Sequence, residues 1–287
     1  VSVAATSIKN PVLVVGSVAL DSVETPFGKA DEVLGGSGTY FSSSASHFTP
    51  VQLVGVVGDD YPVDKLEPLA ARGVDLAGLE KAEGTSFRWR GRYRHDLNSA
   101  ETLETHLGVF SHFRPKIPEQ FRHSPFVFLA NIDPRLQLQV LEQVEKPRLV
   151  ACDTMNFWIE SRRPEVVELL GHVDLITLND AEARQLTEHT NLVQAARWIM
   201  DKGPKHVLIK KGEHGAFMFT REHLLRARVP AGERVRSHGR RRLVCRGLHW
   251  LSRRNGRSER AQHAPRGGRG IGNGLLRGGE VLQRAPA

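Results

Sequence analysis

The chain of 287 residues is long enough for one large α/β domain with a small appendage, and it holds no apolar run of membrane-spanning length. Its formal charge of +8 misdescribes the body: residues 221–287 hold 17 Arg, no Lys, 4 Glu and no Asp, a net of +13, which leaves residues 1–220 at −5. A mildly acidic body argues against nucleic acid as its partner.

In chain order, "PVLVVGSVAL" (11–20) is a continuous β-branched run, read as a strand buried on both faces and not as a signal peptide, because it is short, ends at Asp21 and has no charged segment before it. "DEVLGGSGTYFSSSASHF" passes from strand through a glycine turn into a helix of small residues, and "VQLVGVVGDDYP" is a second buried strand. "TSFRWRGRYRHDL" (85–97) alternates with period two and predicts a half-exposed strand in a small separate sheet. Its arginines are read either as a lid closing over a polar, anionic substrate or as the solvated face of an edge strand. From "PFVFLANI" onward strands and helices alternate: "RLVACDTM", "VDLITLND" and "HVLIKKGEHGAFMF" as strands, "PRLQLQVLEQV", "RPEVVELLG", "AEARQLT" and "NLVQAARWIMDKG" as helices. That rhythm predicts a parallel sheet covered on both faces. The last convincing element ends near Thr220.

Polar and glycine-rich clusters fall at strand ends, where open α/β sheets bind ligands. Asp21 reads either as a turn residue or as a carboxylate accepting from substrate hydroxyls. Gly35, Gly36 and Ser37 precede a helix and form either a tight turn or a close approach of backbone to ligand; the spacing is not the dinucleotide fingerprint. Asn179 and Glu182 stand one helical turn apart, either as a helix cap or as oxygen donors for a hydrated Mg²⁺. Lys211, Gly212 and Gly215 form either an ordinary hairpin or a backbone surface for a nucleotide. The histidines are scattered and have no metal-ligand spacing. Cys152 and Cys245 have no redox or metal spacing, so free thiols in a reducing, cytoplasmic compartment are expected.

In this order "VVGSVALDSV", "GGSGTY", "LVGVVGDD", "LITLNDAEARQLT" and "VLIKKGEHGAFMF" resemble the ribokinase/PfkB family of carbohydrate and nucleoside kinases, from about Pro11 to Thr220. The resemblance implies a ribokinase-like three-layer α/β/α sandwich in residues 1–220, with a mostly parallel sheet and a small β-sheet lid from segments near 18–30 and 85–108. It implies phosphoryl transfer from ATP, with Mg²⁺, to a hydroxyl of a sugar-like substrate, and pairing of two copies through the lid. Asp21, Gly35, Gly36 and Ser37 would hold substrate; Asn179, Glu182, Lys211, Gly212 and Gly215 would hold the nucleotide, with Glu182 on the metal side. Where ribokinases carry an Asn after the glycines, this chain has Tyr40 and Phe41.

The family's D-T-G-A-G-D signature, which supplies the catalytic base and an anion-binding helix start, is absent, so no catalytic residue is assigned and the chain as written is expected to be nearly inactive. The segment 221–287 is rich in Arg and Gly and is expected to be poorly ordered. It reads as the family C-terminus translated out of frame. With permitted codons, "RSHGRRRL" (236–243) read one nucleotide later gives D-P-T-G-A-G-D, and "LVCRGLHWLSRR" gives S-F-A-G-G-F-I-G-Y-L-A. Two other readings stay open: a sugar- or polyanion-binding protein that uses the Arg-rich tail, and a kinase that recruits Asp153 as its base.

Overall fold

The computed structural model describes residues 10–95 and 100–227. Cys245 and most of the Arg-rich segment lie outside the described residues, and with them the expectations made for that segment.

Nine strands form the main sheet: β1 Val12–Val15, β4 Val51–Gly58, β5 Val74–Ala82, β8 Phe126–Leu129, β9 Leu149–Asp153, β10 Leu175–Asn179, β11 His206–Lys210, β12 Ala216–Phe219 and β13 Leu224–Ala227. Four more form the small sheet: β2 Ala19–Thr25, β3 Gly28–Gly35, β6 Phe87–Tyr93 and β7 Ala100–His106. The helices are α1 Ser37–Ala45, α2 Glu67–Ala70, α3 Pro134–Leu141, α4 Asn156–Ser161, α5 Arg163–Leu170, α6 Asp180–Thr187 and α7 Leu192–Met200.

The main sheet runs in the order β13-β12-β11-β10-β9-β8-β1-β4-β5 and the small sheet β3-β2-β6-β7. From β11 to β5 every neighbour pair is parallel; β12 and β13 are added antiparallel. The parallel strands other than the edge strand β5 are apolar on both sides because helices cover them. One layer, with Leu13, Val15, Leu129, Cys152, Ile176, Leu178 and Ile209, packs with α3–α7; the other, with Val14, Leu53, Phe128, Ala151, Leu175 and Leu208, packs with α1 and the segment around Leu66 and Leu69. On that second face Phe41 of α1 stacks on Phe128 of β8 at 3.6 Å between ring centroids. Cys152 is a buried free thiol whose pKa burial pushes up. No helix among the described residues is long and apolar enough to cross a membrane.

Two elements correct the sequence reading. Ordered structure does not end near Thr220: "LLRA" pairs with β12 after a turn in which Thr220 N donates to His223 O. This four-residue strand is hidden by the Arg-rich composition around it. The edge strand β5 was also not foreseen, because its outer side is exposed and breaks the apolar pattern.

The small sheet grows from the carboxyl end of β1, with β2 leading off it. Arg88 of β6 fastens it to the main domain. Its guanidinium donates to Glu32 Oε1 at 2.9 Å and to Asp60 Oδ2, just beyond β4, at 2.6 Å. Asp60 also accepts from the Ser86 amide and hydroxyl, both at 2.7 Å. Burial pulls the Asp60 carboxyl up, but the Ser86 and Arg88 hydrogen bonds together outweigh it and hold the pKa below its ordinary 3.8.

Candidate active site

At the carboxyl edge of the main sheet, β1 stops at Val15 and the chain turns through Ser17 into β2. A bulge in the β2–β3 pairing follows Asp21, where Ser22 faces extra residues of β3 and accepts from Glu32 N at 3.1 Å. Asp21 is 8% exposed, and its carboxylate lies against Gly35. A Cβ at residue 35 would stand 2.2–2.6 Å from the Asp21 carboxyl atoms, so glycine is required for the carboxylate to sit there. Gly36 has φ 90°, and a Cβ there would meet Ser17 O at 2.3 Å. Tyr40, one turn into α1, donates its hydroxyl to Asp21 Oδ2 at 3.3 Å.

Ser37 is placed differently from Asp21. Its amide donates to Ser17 Oγ at 2.9 Å, and its hydroxyl lies 3.0 Å from Ser17 Oγ and donates to Asn131 O at 3.2 Å. It locks the loop that carries Asp21 and the glycines. Just after β8, Asn131 has a buried side-chain oxygen with no hydrogen-bond partner among the described residues.

Farther along the same carboxyl edge, three neighbouring strands, β9, β10 and β11, bring polar groups to one face. Ala151, Leu175 and Leu208 belong to the layer that packs with α1. By the two-residue period Asp153, Thr177, Asn179 and Lys210 share that face. The register pairs Thr177 with Asp153 and Asn179 with Lys210. Lys210 Nζ lies 3.1 Å from Asp153 Oδ1, both side chains about four-fifths buried (20% and 22% exposed). Gln137 Nε2 donates to Asp153 O at 3.0 Å and also to Leu129 O and Ala130 O, tying the ends of β8 and β9 together. Asn179 and Glu182 form a reciprocal cap: Asn179 Oδ1 accepts from Glu182 N at 2.8 Å and Glu182 Oε2 from Asn179 N at 2.6 Å. Burial raises the pKa of the Glu182 carboxyl; Lys210 opposes the shift and Asp153 adds to it. Glu182 Oε1 makes no hydrogen bond among the described residues.

Lys211, Gly212 and Gly215 form the turn between β11 and β12, with positive φ at both glycines. The Lys211 ammonium lies 5.0 Å from the Phe217 ring centroid. Its neighbour Lys210 is the lysine that pairs with Asp153. The lid arginines do not face Asp21. Arg88, Arg90 and Arg92 occupy the other face of β6, and Arg88 and Arg92 are paired with Glu32, Asp60 and Glu24. Neither sequence reading holds as made: β6 lies between β2 and β7 and is not an edge strand, and Arg88, Arg90 and Arg92 stand on the face away from Asp21.

Residues 28–237 match the pfkB family of carbohydrate kinases. The chain belongs to that family. It is 26% identical over 211 residues to the cytidine kinase of Thermococcus kodakarensis, covering 72% of this chain and 75% of that protein. Among solved structures, the adenosine kinase of Sinorhizobium meliloti superposes with a TM-score of 0.66 at 18% identity, over 79% of this chain and 82% of the other. A Burkholderia thailandensis nucleoside kinase, solved in complex with ADP-inosine, gives 0.66 at 16% identity, over 84% and 82%. The ribokinase-like α/β fold read from the sequence is therefore the fold of the chain.

Magnesium and ATP phosphates, which the pfkB family implies, fit the donors at the ends of β9 and β10. Two carboxylates and an amide oxygen offer the hard oxygen ligands that Mg²⁺ takes alongside water and phosphate oxygens. The buried Thr177 hydroxyl, between Asp153 and the Asn179–Lys210 pair, has no hydrogen-bond partner among the described residues.

Proposed function

We propose that the chain is built as a nucleoside kinase whose binding sites are present and whose transfer machinery is not. Asp21, with Gly35 and Gly36 behind it, takes ribose hydroxyls. Asp153, Asn179, Glu182 and Lys210 take Mg²⁺ and the phosphates of ATP, and the turn at Gly212 and Gly215 lies alongside the nucleotide. Bound Mg·ATP would supply the γ-phosphoryl group and the charge that neutralises it. The protein's part is to orient the acceptor hydroxyl and exclude water. The observation that carries the reading is that both motif groups stand at the carboxyl edge of the main sheet, Asp21 and its glycines where the small sheet leaves β1, and Asp153, Asn179 and Lys210 at the ends of β9, β10 and β11. The named activities of the relatives, cytidine, adenosine and nucleoside kinases, favour a nucleoside over a free sugar.

The transfer step needs an acid to take the hydroxyl proton and a helix start to hold the moving phosphoryl group, and residues 221–287 contain no Asp. Asp153 is a poor substitute, being already paired with Lys210. The family match stops at Ser237, within the stretch that yields D-P-T-G-A-G-D in the next frame. That supports the out-of-frame reading of the tail.

Calorimetric titration and a transfer assay on the same preparation test the proposal. Cytidine and Mg·ATP should each bind, with no phosphorylated product above background. Turnover on the order of 10 per second would show that the body supplies its own base; absence of nucleoside binding would remove the substrate assignment. Pairing through the lid is also proposed, since β7 is exposed along its length and Phe27, in the turn between β2 and β3, is 77% exposed. Light scattering of a Phe27→Asp variant should show monomer where the unsubstituted chain shows dimer.

A further inference from the structure

The roles above leave one aromatic surface unused. In the parallel pairing of β2 with β6, Asp21 is the direct partner of Trp89, so both side chains stand on the same face of the small sheet. Gly91, two residues on, shares that face. A Cβ at residue 91 would lie 2.0, 2.3 and 2.8 Å from Cη2, Cζ2 and Cζ3 of Trp89. The indole therefore lies flat in the space that a side chain at 91 would fill. Its Nε1 donates to Thr102 Oγ1 on β7 at 3.2 Å, which fixes the ring in that pose. Trp89 is half-buried while Gly91 beneath it is buried, so the sheet covers one side of the ring and the other is accessible. Phe87, also on this face, stacks on Phe110 at 5.2 Å and continues the apolar wall toward the main domain.

The carboxylate over Gly35 of β3 and the indole over Gly91, tied to β7, lie apart on one sheet face, which matches a ligand with a planar apolar part joined to a hydroxyl-bearing part. A free sugar that engages Asp21 leaves the indole uncovered, whereas a nucleoside covers both. We propose that Trp89 is a specificity-determining residue, the stacking surface for the base of a nucleoside whose ribose hydroxyls meet Asp21. This rests on the nucleoside reading above. Every base has a π-face, so the surface selects nucleosides over sugars more strongly than one base over another.

The test is calorimetric titration of the full chain with cytidine, adenosine and ribose, repeated with Trp89→Leu, Trp89→Phe and Gly91→Ala. Trp89→Leu should weaken both nucleosides about tenfold or more and leave ribose unchanged, and Trp89→Phe should recover most of the loss. Gly91→Ala keeps the tryptophan but displaces it, and should weaken nucleosides as Trp89→Leu does. If Trp89→Leu and Gly91→Ala both bind nucleosides within roughly twofold of the unsubstituted chain, the stacking role is overturned while the nucleoside reading stands. Equal loss for ribose and nucleosides would also overturn it, because the indole would then be supporting the lid. An unsubstituted chain that takes ribose and neither nucleoside would remove the nucleoside reading, and this proposal with it.

Discussion

The substrate end and the phosphate end of this sheet are built by different means. At the substrate end one carboxylate, Asp21, sits against a glycine and is met by a tyrosine hydroxyl from the next helix; its scaffold comes largely from residues 15–40, closed by one distant strand. At the other cluster Asp153 of β9 pairs with Lys210 of β11, and the Glu182 carboxylate, in the first turn of α6, accepts from the Asn179 amide. On the proposed roles, the first cluster would take a neutral polyol through hydrogen bonds, and the second would take a charged phosphate and metal beside the Lys210 cation. On the proposed reading, the proton acceptor and anion-binding groups that transfer needs would be encoded after residue 227, so binding and transfer would be encoded in separable stretches of the chain.

The largest way to sharpen that contrast is to rejoin the D-P-T-G-A-G-D frame after about residue 229. Turnover with Mg·ATP and cytidine should rise by about 10⁴-fold or more over the chain as written, in a coupled phosphorylation assay, with nucleoside affinity little changed. Next, Asp21→Asn should weaken nucleoside binding by about 10- to 100-fold, the worth of hydrogen bonds to a charged acceptor, and leave Mg·ATP affinity intact by calorimetry. Lys210→Met should do the reverse, weakening Mg·ATP by about tenfold and sparing the nucleoside, because it leaves Asp153 and Glu182 to repel each other. Equal losses for both ligands in either variant would break the separation of the two ends.

The smallest effect concerns the join between the sheets. Asp60 has a depressed carboxyl pKa in the folded chain, so its contribution to stability is present above the unfolded value near 3.8 and is lost as pH falls through the folded one. Asp60→Asn should be less stable than the unsubstituted chain in urea melts at neutral pH, and the gap should close below pH ~4.

The sequence made the buried strands legible because each is a continuous apolar run, and the small sheet because 85–93 alternates. Strand alternation also contained a correction that the motif reading passed over. Ile209 is apolar and faces α3–α7, so its neighbour Lys210 must point to the Asp153 side, and Lys211 to the side of Phe217. Ser37 read as a ligand contact because of its place after two glycines, but its partners, Ser17 and Asn131, lie 20 and 94 residues away. Trp89 was unreadable as a cleft residue for the same reason: its pairing with Asp21 spans 68 residues and is set by the parallel register of β2 and β6. Asn131 carried no signal beyond its place after an apolar strand.

The most direct measurement is the nucleotide sequence that encodes Thr220 to His238. The account predicts that adding or removing a single base between the codons for Val229 and Ser237 restores D-P-T-G-A-G-D followed by an apolar, glycine-led helix. A coding sequence whose next frame holds neither the acid nor the glycines would contradict it, and the Arg-rich segment would then stand as part of the protein's own design.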